Sequence, residues 1–160
     1  ADTGQKISPA FLFMGSQHSQ AEEAVQFYTS VFPGSGVKGI LRYSADENEP
    51  VGSVKHAQFS LQHQTFMIMG NSMPHAFVFN EAISFQVLCD TQEEIDYYWI
   101  KLTEGGQESM CGWLKDKYGI SWQIIPSVLE DLMSNPEKAG KVTQAFMQMR
   151  KFEIEKLVNI

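Results

Sequence analysis

Ala21-Glu22-Glu23-Ala24-Val25-Gln26-Phe27-Tyr28 returns 71 residues later as Gln92-Glu93-Glu94-Ile95-Asp96-Tyr97-Tyr98-Trp99. In the first copy Ala24, Phe27, Tyr28 and Val31 fall at i, i+3, i+4 and i+7; in the second Ile95, Tyr98, Trp99 and Leu102 do the same. Such spacing puts each set on one stripe of a helix, because residues three and four apart lie on the same face. Ser19 with Glu22 and Thr91 with Glu94 read as capping boxes at the two helix starts. Pro33-Gly34 and Gly105-Gly106 read as the two stops.

Strand signals flank each helix. Segment 10–14 precedes the first, and 37–43, 54–61 and 65–69 follow it, with Gln62-His63-Gln64 as a hairpin turn. Segment 82–89 precedes the second, and 107–114 and 120–125 follow, joined by Asp116-Lys117-Tyr118-Gly119. The order is βαβββ twice, with the second copy one clear strand short and 71–81 as a connector or a further short strand. The fold class is α+β: a first module over 7–70, a second over 71–126, and a helical tail over 127–160. Alternation assigns faces. Phe85, Val87 and Cys89 share one side with Ile83, and Trp122 and Ile124 share one with Ile120. Those apolar faces are expected beneath the helices. Ser84, Gln86, Ser121 and Gln123 then face elsewhere, toward water or a ligand cavity.

In the tail, Ser127 with Glu130 reads as a third capping box, and Asn135-Pro136 as a cap followed by proline in the first turn. Val142, Phe146 and Met149, then Ile154 and Leu157, form apolar stripes that need a docking surface. The chain itself and a neighbouring copy both offer one; the expectation is a homodimer with the segment after Pro126 packed on the neighbour.

Composition bounds the function. With 43% hydrophobic residues and 11 Phe among 160, a core forms without disulfide support. Cys89 and Cys111 are too few for a disulfide framework and suit a reducing, cytoplasmic setting. A net charge of −7 without a basic cluster argues against nucleic acid. No apolar run reaches the roughly 18 residues of a membrane span, and residues 1–6 lack the apolar segment of a signal peptide.

The stretches from Ala21 through Phe32-Pro33, Phe79-Asn80-Glu81-Ala82-Ile83-Ser84-Phe85, Cys111-Gly112-Trp113-Leu114-Lys115-Asp116-Lys117-Tyr118-Gly119 and Ser121-Trp122-Gln123 resemble the PhnB-like branch of the vicinal-oxygen-chelate (glyoxalase, bleomycin resistance, dioxygenase) superfamily. The resemblance implies a glyoxalase/dihydroxybiphenyl dioxygenase-like fold and a cavity often completed between two subunits. It also implies a divalent metal held by His and Glu or Gln. The positions that match those ligands hold Ala82, Gln123, and Pro9 or Phe11. Most of that set cannot ligate, so no cofactor is expected, with a weakly held divalent metal involving His56 and Gln123 as the alternative. Members of the branch often carry the label 3-demethylubiquinone-9 3-methyltransferase. Methyl transfer is not expected, because the chain has no G-x-G-x-x-G or similar loop to cradle S-adenosylmethionine.

The ligand site is expected to draw on Phe11, Phe13, His56, Ser84, Gln86, Trp113, Ser121 and Gln123. His18 and His63 read as solvated, Cys111 as a packed thiol, Glu81 as a solvated strand-edge carboxylate or a general base, and Met67, Met69 and Met73 as core or an adaptable pocket wall. Catalytic residues are not identifiable. Three functions stay open: a metal-free small-molecule binder, a metal-dependent lyase or dioxygenase-like enzyme, and a structural subunit.

Overall fold

The computed structural model describes residues 4–160, so the reading of the first residues as lacking a leader lies partly outside the described chain. Two compact units divide between Phe77 and Val78.

The first unit runs β1 (Ala10–Met14), a 3-10 turn (Gly15–Gln20), α1 (Ala21–Val31), β2 (Gly36–Arg42), β3 (Val54–Leu61) and β4 (Gln64–Asn71). Its sheet order is β1-β4-β3-β2, with β1 parallel to β4 and the other pairs antiparallel. The second runs β5 (Ser84–Cys89), α2 (Gln92–Thr103), β6 (Gln107–Glu108), β7 (Trp113–Lys115) and β8 (Ser121–Pro126), in the equivalent order β5-β8-β7-β6. Both units are therefore complete βαβββ modules. The expected single strand over 107–114 is two strands, because Cys111 (φ 58) and Gly112 (φ 79) turn the chain back between them. No strand forms in 72–83, which is a connector.

Each helix buries one stripe against its own sheet. Ala24, Val25, Tyr28 and Val31 of α1 are buried, and the Tyr28 ring stacks on Phe59 at 6.4 Å. Phe27 is only half-buried, and Val25 takes its place in the core. Ile95, Tyr98, Trp99 and Leu102 of α2 are all buried. A large side chain buried in this way contributes about 1.5–3 kcal/mol. Thr91 caps α2 as expected: its hydroxyl accepts from the Glu94 N–H at 3.2 Å, while the Glu94 carboxylate accepts from the Asp90 N–H at 2.8 Å. The other two expected caps differ. α1 is entered from the 3-10 turn with no side-chain cap, and Ser127 donates its hydroxyl to Asp90 at 2.7 Å.

The β3–β4 hairpin closes through Gln62 (φ 45) and His63 (φ 70), both left-handed. That is the backbone of a two-residue type I′ turn, which favours Asn-Gly. Replacing Gln62-His63 by Asn-Gly is expected to raise the stability of the chain by about 1 kcal/mol, read as a higher urea midpoint at unchanged slope.

The tail forms α3 (Val128–Met133), α4 (Ala139–Phe146) and α5 (Ile154–Val158). In the single chain it docks on the second module of its own chain. Val142, Phe152 and Leu157 are buried there, the Cys111 and Gly112 N–H groups donate to the Met149 and Arg150 carbonyls at 2.8 Å, and Gln92 of α2 binds the backbone of Phe152 and Ile154. The Asn135 side chain accepts from the Glu137 N–H at 3.0 Å in the turn that precedes α4, whose own N-cap, Lys138, makes no side-chain cap bond.

Both cysteines are free thiols. Burial, then the Glu94 and Asp90 carboxylates, push the Cys89 thiol up to about 12. A thiol-specific disulfide reagent at pH 8 is therefore expected to modify Cys111, which is partly exposed, and to spare Cys89 until the chain unfolds. The same shift makes stability fall as pH rises between about 9 and 12, because the unfolded chain releases this proton first.

Candidate functional site

In each module the sheet face away from the helix is the open one, and strand register decides which side chains reach it. In the second module Ser84, Ser121, Lys115 and Gln107 form one row across all four strands. Gln86, Gln123 and Trp113 form the next. The Gln123 amide nitrogen donates to the Ser84 hydroxyl at 2.8 Å, and Gln86 donates to the Gln123 amide oxygen at 3.4 Å. Five expected site residues, Ser84, Gln86, Trp113, Ser121 and Gln123, thus share one face.

Over the β6–β7–β8 side of this face lies an open cleft of about 500 Å³, lined by Glu81, Gln107, Glu108, Ser109, Trp113, Leu114, Lys115 and Ser121. Trp113 and Ser121 were expected there; Ser84, Gln86 and Gln123 stand beside the cleft on the same face rather than in its lining. Lys115 and Gln107 went unrecognised in the sequence, although Lys115 lies two residues from Trp113 on a strand and so shares its face.

The electrostatics of the cleft are nearly balanced. Lys115 pairs with Glu81, whose carboxylate is held below its usual range first by that hydrogen bond and then by its own backbone N–H. Paired with Lys115, the exposed Glu81 carboxylate is a weaker proton acceptor than a free one. Glu108 accepts from the Trp99 indole at 2.8 Å and faces Arg150 at 3.7 Å. The Trp113 indole is the large apolar surface among these polar groups.

The first module treats its expected residues differently. Leu12, Met69, His56 and Leu41 form one row on its open face, with Met67 and Gln58 in the next. His56 is thus placed on an open face as expected, beside Met69. Phe11 and Phe13 are not. Phe11 is in register with Ile68, and its ring lies 6.4 Å from Tyr28 and 6.0 Å from Phe66; Phe13 is fully buried. Both belong to the core beneath α1, and Leu12 takes the open face in their stead.

A divalent metal finds no matching donor set. Among the described residues no three His, Cys, Asp or Glu side chains form a metal-holding group. Ala82 is an exposed turn residue, and the Gln123 amide oxygen already accepts from Gln86. These residues do not fit the metal that the superfamily resemblance implies.

Residues 5–125 match the family model described as 3-demethylubiquinone-9 3-methyltransferase. The chain belongs to that PhnB-like family. A solved PhnB protein from Bacillus cereus, described by the same methyltransferase name, is 40% identical, with a TM-score of 0.71 over 77% of this chain and 100% of its own. A protein from Pseudomonas aeruginosa is 20% identical, with a TM-score of 0.61 over 76% of this chain and 97% of its own. The fosfomycin resistance protein FosX from Mesorhizobium loti, 9% identical with a TM-score of 0.50 over 82% of this chain and 99% of its own, shares the fold alone. No functionally curated protein matches the chain. This PhnB-like chain thus has the vicinal-oxygen-chelate fold, and its tail lies beyond the part that the family model matches.

Proposed function

We propose that this PhnB-like protein binds a small planar organic molecule on the open face of its second module, without a tightly held metal. The cleft of about 500 Å³ beside Trp113 carries the reading. Its size suits a small ligand, and one aromatic wall with a few fixed polar groups is the usual composition of such a site. Trp113 supplies the stacking surface; Lys115, Ser121 and Gln107 supply polar contacts around it. A thermal-shift screen of small aromatics and dicarbonyls is expected to yield compounds that raise the melting temperature, since a ligand bound only to the folded state stabilises it by mass action. Trp113→Ala should weaken such a compound about tenfold, the loss of one stacked aromatic contact. Unchanged affinity in a folded Trp113→Ala protein would move the site elsewhere.

Chemistry follows the same residues. With the Gln123 oxygen already hydrogen-bonded and no metal-holding group of three His, Cys, Asp or Glu side chains among the described residues, the face offers a divalent ion weak ligation at best. Elemental analysis after dialysis should find well under one divalent ion per chain; one tightly held ion per chain would overturn the metal-free reading. The family's methyltransferase name is not adopted for this chain, because its sequence has no glycine-rich turn to hold a methyl donor.

Assembly as a homodimer in the cytoplasm remains part of the proposal. Phe77, Val78, Ile83 and Leu88 are each more than 60% exposed, and large apolar side chains left in water suit coverage by a second copy. Because the tail is already used within its own module, sedimentation should show a dimer that Phe77→Ser with Val78→Ser dissociates. A monomeric parent chain would end the dimer proposal.

A further inference from the structure

The rim of the cleft is held from two sides, by its own sheet and by the tail. Strands β6 and β7 pair over only two positions, Gln107 with Lys115 and Glu108 with Leu114. Between them the chain makes a turn in which Cys111 and Gly112 are both left-handed. Glu108, Ser109 and Trp113 of the cleft lining sit on either side of this turn. The turn is closed by the Ser109 N–H donating to the Trp113 carbonyl at 3.0 Å and the Trp113 N–H donating to the Met110 carbonyl at 3.1 Å, and the Gly112 carbonyl accepts from the Ile124 N–H of β8 at 2.8 Å.

The tail supplies a second anchor, on the side away from β8. The Met149 and Arg150 carbonyls accept from the Cys111 and Gly112 N–H groups, both at 2.8 Å. Phe152, 1% exposed, lies against Gly112, where no side chain beyond hydrogen would fit. The strap of residues 149–154 is in turn tied to α2. Gln92 donates to the Phe152 carbonyl at 3.0 Å and accepts from the Ile154 N–H at 2.8 Å, and Lys151 pairs with Asp96 at 2.6 Å. One continuous set of contacts therefore runs from α2 through the strap to the turn that ends at Trp113.

We propose that this strap holds the rim of the cleft in its binding form, with Gln92 and Gly112 as its positioning residues. The inference rests on the reading of the cleft as the ligand site. It gives the tail, which lies outside the matched part of the family, a specific role in fixing where Trp113 and Ser109 stand. Gln92 hydrogen-bonds to Asp96, Phe152 and Ile154, none of them in the cleft lining, and acts through the strap.

The test uses the full chain with Gln92→Ala, which removes both strap hydrogen bonds. Trp99 and Trp122 are 5% and 2% exposed, so Trp113 is the indole open to acrylamide, and a Trp113→Phe control isolates its emission. Amide exchange of Cys111 and Gly112 should accelerate by at least about tenfold, the response of a locally released segment. Acrylamide quenching of Trp113 should rise, while the amides of the β5–β8 ladder keep their protection. Gln92→Glu, which keeps the acceptor for Ile154, should fall between the two. A role in general stability alone would change all protected amides together. Phe152→Ala serves as a second release variant. If Cys111, Gly112 and Trp113 keep their parent behaviour in both variants, the strap proposal is wrong. These readouts need no ligand, so they decide the strap separately from the Trp113→Ala binding test, which decides the cleft.

Discussion

Asp116→Ala is expected to cost the second module roughly 3–5 kcal/mol, the upper range for single substitutions. Asp116 is 2% exposed, at the first position of the turn between β7 and β8. One carboxylate oxygen accepts from the Tyr118 N–H at 2.9 Å and the Ile120 N–H at 3.1 Å; the other accepts from the Trp122 indole at 2.9 Å. Truncation leaves three donors without this acceptor in a site where Tyr118, Ile120 and Trp122 are all buried. Each unsatisfied buried donor costs about 1–3 kcal/mol, and water entering the vacated space recovers part of the sum. Asp116→Asn separates the contributions. Its amide oxygen can serve the two backbone donors, but its NH2 then meets the indole N–H, donor against donor. Its loss should therefore be clearly smaller than that of Asp116→Ala. Urea unfolding followed by Trp fluorescence measures both. A midpoint within about 0.5 kcal/mol of the parent, the usual size of a surface substitution, would show that the turn does not depend on this carboxylate.

Gly112→Ala should lose roughly 2–5 kcal/mol, from two sources. At φ 79 the left-handed backbone disfavours any L side chain by about 1–2 kcal/mol. The added Cβ would also stand 2.5 Å from the Phe152 ring and 2.7 Å from the Ile124 carbonyl oxygen, so the strap or β8 must move. Overpacking of this kind costs about 1–3 kcal/mol more. Gly34→Ala is the internal control: φ is similar, at 73, but a Cβ there meets nothing within 4 Å. It should show the backbone cost alone. Equal losses at the two positions, measured by thermal or urea denaturation, would mean that contact with Phe152 contributes nothing.

Much of the architecture was readable because its signals are local. The stripe on α2 places four apolar residues on one face whatever surrounds them, and all four are buried. The alternation of Phe85 and Trp122 with Ser84, Gln86, Ser121 and Gln123 separates core from open face for the same reason. Strand β1 defeats this logic. Ala10-Phe11-Leu12-Phe13-Met14 is apolar at every position, so period two has no contrast to act on. Only pairing with β4, which sets Phe11 beside Ile68, and the Tyr28 ring above it decide that the phenylalanines face inward. The missing strand has a comparable cause. Residues 107–114 read as one extended run, and the left-handed turn at Cys111 is stabilised by carbonyls some 40 residues away in the tail.

The division follows the range of the forces involved. Composition, the repeated helix with its Thr91 cap, and the alternation in β5 and β8 were enough to establish two βαβββ modules with one polar open face. They depend on neighbours one to four residues apart, and every copy of the sequence carries them. Where the tail docks, which face β1 presents, and that Lys115, Glu81 and Trp113 meet around a cleft all depend on partners distant in the chain. The tail's stripes show that Val142 and Leu157 must be buried, since apolar area left in water is costly. Burial is non-directional, so the stripe itself names no partner. The partner is chosen by directional contacts that exist only in the folded chain: the two hydrogen bonds of Gln92 to the strap, and the space at Gly112 into which the Phe152 ring fits.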